Sequence, residues 1–142
     1  MIVLDTNVVS EPLKPAPNPA VLDWLNAQEP QTLFLTAVNL AELLAGVEAL
    51  PVGRRRDALA LALSTQVFVL FGERILPFDA KAADVFAKTS ASTQAQGTPM
   101  GFADCAIASI TRANGFALAT RDVRDFKGAG VSLIDPWAFA KS

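Results

Sequence analysis

Short apolar runs recur along this chain at residues 1–4, 32–35, 75–78, 116–120 and 131–134, and most are separated by segments of helical length. Runs of four or five residues, rich in β-branched and aromatic side chains, read as buried strands. Strands alternating with helices of about ten or more residues indicate an α/β domain with a largely parallel central sheet. In such sheets ligands bind beyond the carboxyl ends of the strands. The intervening segments carry their own start and stop signals. Asn18 caps a helix running to about Gln28, and Thr36 caps one running to about Ala49, which Pro51 ends. A third runs from Gly53 to about Phe71 and opens with Arg54, Arg55 and Arg56; a fourth runs from Asp79 to about Gln96. A fifth extends from about Gly101 to Ala113 and stops at Asn114-Gly115. Pro12, Pro15, Pro17 and Pro19 make an extended loop.

With 142 residues and 51% hydrophobic content, residues 1–142 are expected to form one domain with a sizeable core. Mean hydropathy is high at +0.34, yet the longest apolar candidate, residues 58–71, is broken by Ser64, Thr65 and Gln66. It falls short of the ~18 residues a membrane span needs. Asp5 interrupts the first apolar run, so no signal peptide is expected. One cysteine permits no internal disulfide and fits a reducing cytoplasm. Cys105 reads as packing. The surplus of apolar residues points to a permanent partner surface.

Four acids stand where acids are unwelcome. Asp5 ends the run Met1-Ile2-Val3-Leu4, Glu42 lies among Leu40, Ala41, Leu43 and Leu44, Asp104 lies in Gly101-Phe102-Ala103-Asp104-Cys105-Ala106-Ile107, and Asp122 follows Ala119-Thr120-Arg121. A carboxylate beside apolar surface loses hydration and is tolerated chiefly when it meets a cation or a metal. Asp104 has no Lys or Arg three or four positions on to pair with it. Asp122 has a competing reading as the cap of Val123-Arg124-Asp125-Phe126, and Asp125 reads as surface. Taken together, the four suggest one acidic site assembled from distant sequence.

The chain has no histidine, no tyrosine and one cysteine. That excludes a Ser-His-Asp triad, a Cys-His pair and histidine metal ligation, and leaves an all-oxygen ligand set suited to Mg²⁺ or Mn²⁺. The net charge of -2 gives no global footprint for nucleic acid. A polyanion would need local cations, with Arg121 or Arg124 near the cleft, and the charge of a bound metal.

These motifs resemble the PIN-domain ribonucleases along essentially the whole chain. The likeness is carried by Met1-Ile2-Val3-Leu4-Asp5-Thr6-Asn7, by Ala41-Glu42-Leu43 with Gly46, and by Phe102-Ala103-Asp104-Cys105-Ala106-Ile107-Ala108. Leu118-Ala119-Thr120-Arg121-Asp122-Val123-Arg124-Asp125-Phe126 and the close from Gly130-Val131 to Asp135-Pro136-Trp137 complete it. The set is most similar to the VapC/FitB-like toxins of bacterial type II toxin–antitoxin pairs. The resemblance implies a three-layer α/β/α sandwich and a Mg²⁺- or Mn²⁺-dependent endoribonuclease leaving a 5′-phosphate and a 3′-hydroxyl. It assigns Asp5, Glu42, Asp104 and Asp122 as metal-binding acids and Thr6, Asn7 and Thr120 as their polar support. It further implies a homodimer that grips a cognate antitoxin and meets operator DNA only through it. Two alternatives share the fold: a metal-dependent DNA nuclease and a non-catalytic interaction module. An aspartyl-nucleophile phosphatase would need a second aspartate where Asn7 stands. A receiver domain would need an acidic pair in its first loop and a late lysine after a strand.

Overall fold

A computed structural model describes residues 1–141. The described residues form a five-stranded, all-parallel sheet in the order β3-β2-β1-β4-β5. Its strands are β1 (Ile2–Leu4), β2 (Leu33–Thr36), β3 (Ile75–Leu76), β4 (Ala117–Ala119) and β5 (Leu133–Ile134). The helices are α1 (Thr6–Ser10), α2 (Pro19–Asn26), α3 (Ala37–Glu48), α4 (Arg54–Ala62), α5 (Val69–Phe71), α6 (Ala80–Ala95) and α7 (Phe102–Ala113).

Because successive strand residues face opposite ways, each short apolar run feeds two cores. On one face Leu4, Leu33, Leu35 and Ala119 pack with Val8, Val9, Trp24, Val47, Leu63 and Phe71 from α1 to α5 and the turn before α5. On the other, Val3 and Leu118 pack with Ile107 and Ala108 of α7 and with Phe126. Two apolar cores separated by one sheet are the physical content of the expected three-layer sandwich. Among the described residues, no helix is long and apolar enough to cross a membrane.

The sheet grows outward from β1 in both directions, toward β2 and β3 on one side and β4 and β5 on the other. The strand order therefore reverses between β1 and β4, and a crevice opens there at the carboxyl ends. Pairing of Leu4 with Ala119 sets the next residues, Asp5 and Thr120, side by side at its floor.

Several boundaries differ from expectation. The chain does not loop out after Asp5 but turns at once into α1 and a 3₁₀ turn at Glu11–Leu13. The long helix expected over residues 53–71 is interrupted: α4 passes into a π-helical stretch, Leu63–Phe68, before α5. Ser64 and Thr65 both donate to the carbonyl oxygen of Leu61, at 3.0 and 2.8 Å, and such back-bonding competes with the helical ladder. Pro77, which has no N–H to give a ladder, follows the last residue of β3, so the strand ends at Leu76 rather than Phe78. Strands β4 and β5 are likewise shorter than the apolar runs that contain them. Cys105 is buried, as read.

Ile107 is fully buried between the sheet and α7. Ile107→Ala should cost about 2–5 kcal/mol. A urea titration showing a loss below about 1 kcal/mol would remove α7 from the list of elements that hold the fold.

Candidate active site

Strand β1 passes into α1 through Asp5, whose Oδ1 accepts from the Thr6 backbone N–H at 2.8 Å. The same oxygen lies 3.3 Å from the donating Nδ2 of Asn39, and Oδ2 accepts from the Thr120 hydroxyl at 2.8 Å. Asp5 is only 5% exposed. It is thus fixed by groups from the start of α1, from α3 and from the end of β4. Burial raises its carboxyl above the usual range against the hydrogen bonds from Thr120 and Thr6, and the charges of Glu42 and Asp122 push the same way.

Asn39 is the hub that joins these elements. Its Oδ1 accepts from the Thr36 N–H and hydroxyl at 3.1 and 2.6 Å, while its own N–H donates to Thr36 Oγ1 at 3.0 Å. That reciprocal capping box starts α3 directly from the last residue of β2. Asn39 Nδ2 also donates to Thr6 Oγ1 at 3.1 Å, and the Thr6 hydroxyl donates to Glu42 Oε1 at 2.7 Å. Thr6 therefore passes orientation from the buried amide to the Glu42 carboxylate.

Asn7 works as a clip on the far side. Its Nδ2 donates to Asp122 Oδ2 at 2.9 Å, and its Oδ1 accepts from the Arg121 N–H at 3.3 Å. Asp122 takes the N-cap position of the 3₁₀ turn Val123–Phe126 but makes no side-chain capping bond. The capping alternative is thereby removed; the carboxylate turns toward Asn7. Arg121 lies 5.4 Å from the Trp137 ring centroid, with Nε 4.0 Å from Asp122.

Asp104 enters from the first turn of α7, which starts at Gly101 without a side-chain cap. It is half-buried, and its pKa is raised to about 6, first by burial and then by the charges of Asp5, Glu42, Asp125 and Asp122. The acids gathered from β1, α3, α7 and the segment after β4 thus feel one another across one crevice. They do not close into a ready-made cage: among the described residues, no three Asp, Glu, Cys or His side chains are grouped tightly enough to hold an ion. The expectation of unwelcoming surroundings holds for Asp5 and in part for Asp104. Glu42 and Asp122 are exposed.

The donor set nevertheless fits a hard cation. It is entirely oxygen, and its two less exposed members are pushed toward protonation first by burial and then by like charges, with no hydrogen bond offsetting this at Asp104. Two residues were undervalued in the sequence. Asn39 had a signal in the Thr-x-x-Asn spacing of the capping box, and Asp125 sits in the crevice beside Asp104. Of the three consecutive arginines, Arg56 pairs with Glu48, and Arg55 lines an apolar groove beside Glu42 that also takes in Leu13, Lys14, Leu59 and Leu63.

Comparison with known proteins shows the family and the fold. The PIN domain family model matches residues 2–131. The plasmid stability protein StbB of Pseudomonas syringae pv. tomato is 44% identical over 137 residues, covering 96% of this chain and 99% of its own. The VapC ribonuclease Y4jK of Sinorhizobium fredii is 44% identical, with 96% and 98% covered. The toxin FitB of Neisseria gonorrhoeae is 38% identical, with 96% and 99% covered. A solved FitAcB structure from that organism superposes with a TM-score of 0.93 at 37% identity, spanning 98% of this chain and 100% of the other.

Ionised Asp104 opposes folding when no cation is present. Its proton is held more tightly in the folded state, so this residue's contribution to stability falls as pH rises from about 4 through about 6. In EDTA at pH 7.5, Asp104→Asn should melt higher than the parent, by on the order of 1–2 kcal/mol once solvent screening of this half-exposed group is discounted. The gap should close as pH falls toward 4. Melts of equal height at pH 7.5, or a gap that does not change with pH, would refute this account of the crevice.

Proposed function

Because this chain belongs to the PIN-domain family, within its VapC/FitB branch of toxins, we propose that it is a Mg²⁺- or Mn²⁺-dependent endoribonuclease. The observation that carries the reading is Asp5, rigidly held at the switch point and sharing one crevice with Glu42, Asp104 and Asp122. Asp5 and Asp104 hold the principal ion, and Glu42 and Asp122 complete the site directly or through water. Bound there, the metal supplies an activated water and charge neutralisation on the phosphoryl oxygens.

The protein's part is orientation. The donors on both oxygens of Asp5 leave its carboxylate little freedom to turn, so little is lost when it binds a cation. Thr6 aims Glu42 and Asn7 aims Asp122. Among the described residues Asp104 accepts no such hydrogen bond, and burial followed by the neighbouring negative charges raises its pKa to about 6.

The proposed setting is a toxin–antitoxin pair. The chain acts as a homodimer, binds a cognate antitoxin and reaches operator DNA only through that partner. Support comes from the exposed apolar side chains Leu44, Val52, Leu61, Phe68, Val69 and Leu70 between α3 and α5. Such a run is a poor solvent face and a good protein-contact face. Light scattering at micromolar concentration should give a dimer mass, and co-expression with its adjacent reading frame should yield a complex. A monomer that co-purifies with nothing would count against the pairing.

Asp5→Asn and Asp104→Asn should each lower single-strand RNA cleavage by more than ~100-fold, whereas Thr6→Val and Asn7→Ala should fall in the ~10–100-fold range of supporting residues. Millimolar Mn²⁺ should raise the melting temperature of the parent and not that of Asp104→Asn. Full cleavage by either aspartate variant would sink the site, and no Mn²⁺-dependent shift in the parent would favour a non-catalytic module. A DNA strand assayed alongside decides between the two backbones.

A further inference from the structure

Beside Asp104 the crevice extends into a second, polar cavity of about 380 Å³, whose lining includes Thr98, Gly101, Arg124, Asp125 and Lys127. Arg124 and Lys127 flank Phe126, which is 1% exposed and anchored in the core under β4. With Phe126 pointing inward, the two cations stand on the outer rim of one short 3₁₀ turn. That turn is closed by Gly128 and Gly130, at φ +83° and +77°, around the buried Ala129.

Three of the other cations near the site are engaged elsewhere, and Arg55 lies in the apolar groove beside Glu42 rather than beside Asp104. Lys14 pairs with Glu11, Arg56 pairs with Glu48, and Arg121 lies over Trp137 beside Asp122. Arg124 and Lys127 form no ion pair among the described residues, although Asp104 and Asp125 line the same cavity. Both are exposed, so their charges are free to meet an incoming anion. They suit a chain of regularly spaced anions in which one phosphate meets the acids and its neighbour meets the cations. With a net charge of -2 the whole molecule's field does not attract a polyanion, so local cations such as these must help to hold one.

We infer that Arg124 and Lys127 form a phosphate subsite that grips the backbone of a single RNA strand next to the phosphodiester being cut, on the Asp104 side of the crevice. The subsite rests on the hydrolytic reading above. Its residues are positioning residues, and none is assigned to the reacting atoms.

The test compares the parent with Arg124→Gln/Lys127→Gln and with a charge-matched control, Arg54→Gln/Lys81→Gln, whose residues are exposed on α4 and α6. The probe is a fluorescein-labelled, single-stranded twelve-nucleotide RNA, followed by anisotropy in millimolar Ca²⁺ across a salt titration. Losing two phosphate contacts should weaken binding about tenfold or more at low salt and flatten the slope of log K against log salt by about 1.4. The control should keep the parent's slope. In Mn²⁺ the subsite variant should show a raised KM with kcat within about twofold.

Equal weakening in both double variants, unchanged binding in the subsite variant, or no RNA binding by the parent would each overturn the subsite. Cleavage by all three proteins with equal KM would overturn it while leaving hydrolysis intact. Subsite-dependent RNA binding by a parent that never cleaves would instead keep the subsite and overturn hydrolysis.

Discussion

Everything in the crevice depends on the Asp5 carboxylate and the donors that hold it. A buried charge without partners would be ruinous, so the fold surrounds this one with the Thr6 N–H, the Asn39 amide and the Thr120 hydroxyl. Those donors come from three elements, and satisfying them fixes how β1, α3 and β4 meet. The demand that stabilises one acid therefore aligns the strand ends at which the others gather. Burial and like charges still raise the carboxyls of Asp5 and Asp104 above the usual range, so a proton or a cation would relieve them.

The acids differ in how they are restrained. Glu42 and Asp122 are exposed, each held by one hydrogen bond from the residues that follow Asp5. Thr6 and Asn7 sit in the first turn of α1, so the turn that leaves Asp5 also carries the two groups that steer its neighbours. A run of three residues, Asp5-Thr6-Asn7, thereby organises contributions lying 36 and 115 positions away.

Much of this was legible in the amino-acid order, for identifiable reasons. Strand runs were short and doubly apolar because both faces of the sheet are covered. Asp5 and Asp104 stood out because an acid inside such a run contradicts its surroundings. Thr36 and Asp79 declared themselves as caps. The role of Asn39 was harder to see, since its Asp5 partner lies 34 residues away and only its local bond to Thr36 leaves a trace in spacing. Asp122 was ambiguous because an N-cap and a crevice acid look alike until the side chain's direction is known. The π-helical stretch was hidden as well: Ser64 and Thr65 break an apolar run in the sequence, but only geometry reveals that they bond back to Leu61.

The strand order carries a further consequence, in time rather than in space. Strand β1 precedes the other four strands in the chain and lies at the centre of the sheet, yet one of its two neighbours, β4, begins only at Ala117. A growing chain that has already supplied Asp5, Glu42 and Asp104 still lacks Thr120 to hold Asp5 and Asp122 to face Asn7. The crevice is finished only when the strand that begins at Ala117 docks against β1, more than a hundred residues earlier in the chain.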